Sequence, residues 1–188
     1  MKAKVLNKTK VITGKVRASY AHIFEPHSMQ EGQEGQESKY SISLIIPKSD
    51  TSTIKAIEQA IEAAKEEGKV SKFGGKVPAN LKLPLRDGDT EREDDVNYQD
   101  AYFINASSKQ APGIIDQNKI RLTDSGTVVS GDYIRASINL FPFNTNGNKG
   151  IAVGLNNIQL VEKGEPLGGA SAAEDDFDEL DTDDEDFL

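Results

Sequence analysis

The 188-residue sequence contains no cysteine, no tryptophan and only two histidines. The absence of cysteine excludes disulfides, thiolate metal sites and a cysteine nucleophile. Without tryptophan, any aromatic stacking surface must be built from the seven phenylalanines and five tyrosines. No apolar run is long enough for a signal peptide or a membrane span. We therefore expect a soluble, cytoplasmic protein.

Charge is distributed unevenly along the chain. The first 24 residues carry six basic side chains and no acidic one, whereas residues 174–188 carry ten acidic side chains and no basic one. The part before Glu174 has 21 acidic and 22 basic residues, so its net charge is about +1. The chain thus has a basic start, a near-neutral body and an acidic end. This distribution is more informative about binding partners than the overall charge of −9.

Alternating apolar and polar residues predict several β-strands. In the first, Val16, Ala18, Tyr20 and Phe24 share one face, and Gly14 marks a bulge or a tight bend. Polar segments at 25–38 and 69–100 are expected to be irregular. The predicted strands cover residues 9–24, 39–47, 101–106, 114–122, 133–143 and 151–161.

One helix is predicted after the second strand. Residues 49–52 offer N-cap oxygens, and the apolar residues Ile54, Ile57, Ile61 and Ala64 then follow a period of 3.6. Gly68 is expected to end this helix. Its other side is charged, which is typical of an amphipathic helix packed on a sheet.

These elements predict a mostly β fold: a five-stranded OB-fold-like barrel with one amphipathic helix and an acidic, disordered C-terminal tail. An irregular β-sandwich is the alternative, because periodicity alone does not separate the two. The expected organisation is an OB-fold-like domain at 1–163, a flexible linker at 164–173 and the acidic tail at 174–188.

The predicted strand at 133–143 carries an unusual outward face. Tyr133, Arg135, Asn139, Phe141 and Phe143 alternate there with apolar residues. Rings interleaved with an arginine suit stacking on nucleic-acid bases beside a phosphate contact. Alternatively, the rings pack under the irregular 69–100 segment as a second small core.

Two cations on the first strand, Lys15 and Arg17, are suited to following a phosphate backbone. Lysines on exposed strands also prevent unwanted edge pairing, so their position alone does not decide the role.

Acidic residues at 87–95 raise the possibility of Mg²⁺ or Ca²⁺ binding. Their spacing does not match an EF-hand loop, and the segment 86–89 is better explained as a hydrogen-bonded turn. His22 and His27 suit neither a zinc pair nor a catalytic dyad. No nucleotide-binding, hydrolase or metalloprotease motif occurs. We predict no catalytic residue, no metal site and no cofactor, and hence a protein that is not an enzyme.

The C-terminus combines four consecutive acids with a terminal Phe-Leu pair. A ring for a hydrophobic pocket and carboxylates for a basic rim are typical of a peptide ligand, and a polyanion can also occupy the protein's own basic groove. A generic acidic tail is the alternative. The predicted partner-binding residues are Asp183, Asp184, Glu185, Asp186, Phe187 and Leu188.

Five segments together resemble the single-stranded DNA-binding proteins encoded by tailed bacteriophages. They are residues 39–61 (KYSISLIIPKSDTSTIKAIEQAI), 83–89 (LPLRDGD), 102–116 (YFINASSKQAPGIID), 130–143 (SGDYIRASINLFPF) and 148–161 (NKGIAVGLNNIQLV). The resemblance implies an OB-fold and binding of single-stranded DNA without sequence preference. It also implies that the tail recruits replication and recombination proteins.

We therefore expect a protein that coats single-stranded DNA during phage replication or recombination, in the host cytoplasm and as a possible homo-oligomer. Preference for DNA over RNA stays open. Two alternatives are a metal-dependent nuclease or nuclease subunit using residues 87–95, and a DNA-mimicking adaptor. From the strand faces, the predicted DNA contacts are Lys15, Arg17, Tyr102, Phe103, Lys109, Tyr133, Arg135, Phe141, Phe143 and Lys149.

Overall fold

The computed structural model describes residues 1–28 and 37–167. Within them lie nine strands, two α-helices and a 3₁₀ helix. The strands are β1 (Lys4–Val5), β2 (Lys10–Ile12), β3 (Val16–His27), β4 (Lys39–Pro47), β5 (Arg86–Asp87), β6 (Ala101–Ser108), β7 (Gly113–Ile115), β8 (Tyr133–Thr145) and β9 (Asn148–Glu162). The helices are α1 (Thr51–Ser71), α2 (Gly88–Glu91) and the 3₁₀ helix Val96–Tyr98.

Five strands pair in a ring, in the order β3, β4, β6, β9, β8 and back to β3. All pairings in the ring are antiparallel except that of β6 with β9, which rests on one residue pair, Ser107 with Gly154. The ring is therefore a partly open barrel, as in an OB-fold. This arrangement confirms the predicted fold class.

Most predicted strands form close to their expected bounds, but the single strand predicted at 9–24 is divided at Gly14 into β2 and β3, and β3 continues to His27. The predicted strand 39–47 coincides with β4, and Gly14 lies at the bend between β2 and β3. The single strand predicted at 114–122 is wrong. The Asp116 carboxylate accepts the N–H groups of Asn118 and Ile120, so the chain turns back and Ile115 pairs with Arg121.

Helix α1 begins where its cap predicts but runs past its expected end. The Asp50 carboxylate accepts the Thr53 N–H at 3.1 Å. Gly68 is buried within the helix. A Cβ at this position would lie 2.3 Å from the Phe73 ring and 2.8 Å from Pro142, so no larger residue fits there. This glycine is needed for close packing against β8, and the helix continues to Ser71.

The barrel interior is filled by alternate residues of the ring strands, among them Leu44, Ile104 and Ile138. Tyr20 departs from the alternation expected for the first strand. The pairing of β3 with β4 shifts register between Ser19 and His22, and Tyr20 takes a φ of +46°. The bulge leaves Tyr20 56% exposed instead of on the buried face with Val16 and Ala18.

A second, smaller buried cluster lies outside the barrel. It consists of Ile45, Tyr98, Ala101 and Phe103, with Leu167 packed against it. The Tyr98 hydroxyl lies 2.9 Å from Ser19 Oγ and 3.2 Å from Ser43 Oγ, on β3 and β4. The segment 86–98 is thereby held against part of the barrel's outer surface. In the described part of the chain, no helix is long and apolar enough to cross a membrane.

Candidate nucleic-acid interface

A groove runs across the outer surface of β6, bordered by β3 and β4 on one side and by residues 82–86, β8 and β9 on the other. Two cavities of about 620 and 590 Å³ meet at Asn105 and Ser107, the outward residues of β6 that line both. We call the two together the β6 groove. Its first part is lined by Tyr20, His22, His27, Glu37, Lys39, Ser41, Ser43 and Arg92, and its second by Lys82, Arg86, Glu91, Phe143 and Ala152, among others.

The described walls of the β6 groove carry more unpaired positive than negative charge. Both of its acids already have a cationic partner. Glu37 binds Lys109 at 2.8 Å and Glu91 binds Arg86 at 2.8 Å. The hydrogen bond from Lys109 holds the pKa of Glu37 below its ordinary value. Lys39, Lys82 and Arg92 add positive charge, so the groove as a whole is cationic.

Arg92 is held by aromatic rings rather than by an anion. Its guanidinium carbon lies 5.3 Å from the ring centre of Phe103, 5.5 Å from that of Tyr98 and 5.8 Å from that of Tyr20. Within residues 1–28 and 37–167, no carboxylate or carbonyl accepts a hydrogen bond from this guanidinium. Cation–π contacts therefore position Arg92 while its N–H donors stay available.

His22 and His27 present a flat surface on the same wall. Their rings stack with centroids 4.1 Å apart and an angle of 10° between the planes. Partial burial, and then the neighbouring His27, hold the pKa of His22 below its ordinary value. The lowered pKa favours the neutral form of His22, so this side chain contributes ring surface rather than positive charge to the groove.

Several predicted contact residues do lie at or near the β6 groove. Phe143 lines its second part, and Lys109 reaches the first part through Glu37. The Lys149 carbonyl accepts the Lys82 N–H at 3.1 Å, which places Lys149 beside the same end of the groove. Phe141 is 41% exposed on the outward face of β8, paired with the lining residue Ala152.

Another predicted group gathers at the opposite end of β8, around Tyr133. Lys15 Nζ and Arg17 Cζ lie 5.2 and 5.5 Å from the centre of the Tyr133 ring. Lys15 also forms an ion pair with Glu162 at 3.2 Å. This cluster is compact, and its cations already have partners within the chain.

The arginines of this group hold chain segments in place. Arg17 donates to the Gly131 carbonyl at 3.0 Å and to the Glu165 carbonyl at 2.7 Å. Arg135 donates to the carbonyls of Thr13 and Lys2 at 3.0 and 3.1 Å. Arg17 thus anchors the segment after β9, and Arg135 anchors the N-terminal segment.

Two predicted residues of β6 differ in their environment. Phe103 is fully buried beneath Tyr98 and Arg92, so the prediction that it stacks on a base is wrong. Its outward position on β6 is covered by the segment 86–98, which periodicity did not reveal. Tyr102 is half-buried, with Lys48 Nζ 5.2 Å from its ring centre.

The carboxylates of the LPLRDGD segment organise a turn, as predicted. Asp87 accepts the Asp89 N–H at 3.0 Å, and Asp89 accepts the Asp100 N–H at 2.9 Å. Lys48 binds both carboxylates, at 3.0 and 2.7 Å. The Lys48 hydrogen bond and the Asp100 N–H hold the pKa of Asp89 below its ordinary value. In the part of the chain that the structure describes, no three acidic or histidine side chains are arranged to hold a metal ion.

Sequence reasoning missed most residues of the groove's first part. The alternation in β4 does contain a signal, since Lys39, Ser41 and Ser43 form a polar outward face. No local pattern gives the outward turn of Tyr20 or the position of Arg92, because both depend on a bulge and on a long-range fold-back. The predicted partner-binding residues 183–188 lie outside the described residues.

Comparison with known proteins identifies the group to which this fold belongs. Residues 9–188 match the family described as "Enterobacter phage Enc34, ssDNA-binding protein". A "Putative protein p50" of Acyrthosiphon pisum secondary endosymbiont phage 1 is 31% identical over 179 residues, covering 91% of this chain and 94% of that protein.

Two solved structures are similar in fold. One is the single-stranded DNA-binding protein from bacteriophage Enc34 in complex with single-stranded DNA, with a TM-score of 0.75, 24% identity and coverage of 89% of this chain and 98% of that one. The other is gp2.5, a single-stranded DNA-binding protein encoded by bacteriophage T7, with a TM-score of 0.56, 19% identity and coverage of 91% and 98%. Taken with the sequence match across residues 9–188, these likenesses lead to one conclusion: the chain belongs to the Enc34 single-stranded DNA-binding protein family.

Proposed function

We propose that this protein binds single-stranded DNA without sequence preference, along the β6 groove, and coats exposed strands during phage replication or recombination in the host cell. The observation that carries this proposal is the position of a cationic, ring-lined groove on β4 and β6. These are the second and third strands of the barrel, and that face binds oligonucleotides in OB-folds.

The chemistry of the groove supports binding that is indifferent to sequence. Rings stack on any base, and cations neutralise phosphates whatever the base. Each phosphate neutralised on a single strand changes the slope of log affinity against log salt by about −0.7. Of the residues predicted from strand faces, we propose that Phe143, Lys109 and Lys149 contribute at the groove.

A paired substitution tests the location. Asn105 is exposed at the centre of the β6 groove, whereas Asn139 lies on the outward face of β8. Asn105→Glu places a negative charge against the DNA, and we expect it to weaken binding of fluorescent oligo-dT by roughly tenfold or more, which corresponds to about 1.4 kcal/mol. Asn139→Glu is the matched control and should bind as the wild type does.

The reverse result would place DNA around Asn139, outside the β6 groove, and refute the proposed site. The same anisotropy titration is repeated across a salt series and with unlabelled duplex as competitor. If the wild-type protein fails to bind at low salt, the DNA-binding proposal fails, and the adaptor alternative explains the chain better. Cleavage of the labelled strand on adding Mg²⁺ or Mn²⁺ would instead favour the nuclease alternative.

We further propose that residues 174–188 compete with DNA for the groove and recruit replication or recombination proteins. Residues 163–167 support this idea, because Arg17 binds Glu165 and Leu167 packs on the Tyr98–Phe103 cluster that also holds Arg92. Leu167, the fourth residue of the predicted linker, is thus held against the cluster that positions Arg92 in the groove. A chain ending at Ala173 should bind oligo-dT more tightly than the full chain, and weaker binding would refute the competition.

A further inference from the structure

Tyr20 has a backbone conformation that its side chain does not explain. Its φ of +46° lies in the left-handed region, which bulky residues rarely adopt. The other non-glycine residues with positive φ in the described ranges are Asp100, Lys119 and Asn146, none of them aromatic. A tyrosine kept in a strained conformation and left 56% exposed is a candidate for a functional role.

The strain has a consequence for the β6 groove. The bulge in β3 turns the Tyr20 ring from the barrel interior to the groove wall. One side of the ring contacts the Arg92 guanidinium, 5.8 Å from the ring centre, and much of the rest faces solvent. An exposed ring that is held in place provides a stacking surface at little entropic cost.

Arg92 lies beside the Tyr20 ring in the β6 groove. The buried Tyr98 and Phe103 rings, 5.5 and 5.3 Å from its guanidinium, hold Arg92 from below. The chain has five arginines, and three of them, Arg17, Arg86 and Arg135, donate to acceptors within the protein. In the described residues, only Arg92 and Arg121 lack such an acceptor, and of these two only Arg92 lies in the β6 groove.

We infer that Tyr20 and Arg92 form one nucleotide-binding unit, in which the Tyr20 ring stacks on a base and the Arg92 guanidinium binds the neighbouring phosphate. This inference rests on the proposed function and assigns its central contacts. The two roles predict different measurable effects. Loss of stacking should lower the affinity only for DNA that carries bases, whereas loss of a phosphate contact should reduce the salt dependence of the affinity.

Tyr20→Asn is the first test variant. Asparagine tolerates a left-handed φ, so this substitution removes the ring without adding backbone strain. We expect its affinity for oligo-dT to fall roughly 5- to 150-fold, the range measured for loss of one stacked base, with the salt slope unchanged. Tyr20→Phe should retain the wild-type affinity. Thermal unfolding of both variants confirms that each is folded.

Arg92→Gln is the second test variant. It should weaken binding and reduce the magnitude of the salt slope by about 0.7. An abasic oligonucleotide of the same length separates the two roles: Tyr20→Asn should bind it as the wild type does, whereas Arg92→Gln should still bind it more weakly. Tyr133→Asn and Arg121→Gln are the matched controls outside the groove and should leave both measurements unchanged.

The outcomes distinguish this inference from the proposed function. If the wild type does not bind oligo-dT, the proposed function fails and this inference fails with it. If the wild type binds and folded Tyr20→Asn and Arg92→Gln bind equally well, only the assignment of these two residues is overturned. If Tyr20→Asn changes the salt slope or weakens abasic binding as strongly as oligo-dT binding, the stacking role is refuted.

Discussion

Gly88, in the LPLRDGD segment, has no room for a side chain. A Cβ at this position would lie 2.2 Å from the Tyr98 carbonyl oxygen and 2.8 Å from that of Ala101. Ordinary contact of a Cβ begins at about 3.4 Å, so the Tyr98 carbonyl would have to retreat by more than 1 Å. That carbonyl is fixed, because the Tyr98 ring is fully buried and its hydroxyl is bonded to β3 and β4.

We therefore expect Gly88→Ala to destabilise the fold by about 1–3 kcal/mol, the usual cost of overpacking. For a protein of this size the midpoint of thermal unfolding should fall by roughly 2–12 °C. Because Tyr98 supports Arg92, binding of oligo-dT should weaken as well. Thermal unfolding followed by circular dichroism measures the first effect, and fluorescence anisotropy measures the second.

Gly126→Ala is the matched control, since a Cβ there meets no atom within 4 Å. Replacing glycine in open space reduces the entropy of the unfolded chain and stabilises by about 0.4–1 kcal/mol. The two substitutions should thus shift the unfolding midpoint in opposite directions. A Gly88→Ala protein that unfolds at or above the wild-type temperature would refute the packing argument.

Three further predictions concern single groups. Tyr98→Phe removes a buried hydroxyl bonded to two serines and should lower the free energy of unfolding by about 1–3 kcal/mol, measured by urea titration. The pKa of His22 is lowered in the fold, so the unfolded chain binds more protons as the pH falls below 6.5, and the free energy of unfolding should decrease with it. His22→Gln should make the unfolding temperature depend less on pH in this range. Parallel pH profiles of the variant and the wild type would contradict this prediction. Because the pKa of Asp89 is also lowered, its contribution is present above its ordinary pKa near 4 and is lost as the pH falls further. Asp89→Asn should therefore unfold at a lower temperature than the wild type at pH 7, with a smaller difference at pH 3.

The parts of the fold that could be predicted are those that depend on residues close together in the sequence. Alternation predicted the bounds of β4, and the polar residues 49–52 predicted the start of α1, where the Asp50 carboxylate forms the cap. The number of predicted strands and the glycines that permit curvature favoured an OB-fold-like barrel, whereas the order of the strands in the ring came from the structure. At Gly68 the local pattern misled, because the glycine serves packing against Phe73 instead of ending the helix.

The β6 groove was harder to predict, because it depends on contacts between distant segments. Arg92 lies in an acidic run that gives no sign of the rings it covers, and Tyr98 reaches Ser19 across 79 residues of sequence. Phe103 alternates as an outward residue, yet the same segment buries it. The outward face of β8 was correctly predicted, but its arginine is bonded to backbone carbonyls that the sequence does not reveal.

Photo-crosslinking locates the bound DNA on the protein surface. Oligo-dT carrying 5-iododeoxyuridine is irradiated with the full-length protein, and the crosslinked tryptic peptide is identified by mass spectrometry. Binding in the β6 groove predicts a crosslink within residues 18–39, which contain Tyr20, His22 and His27. Crosslinks confined to the peptide with Tyr133, residues 122–135, would place the DNA at the cluster of Lys15, Arg17 and Tyr133 and contradict binding in the β6 groove.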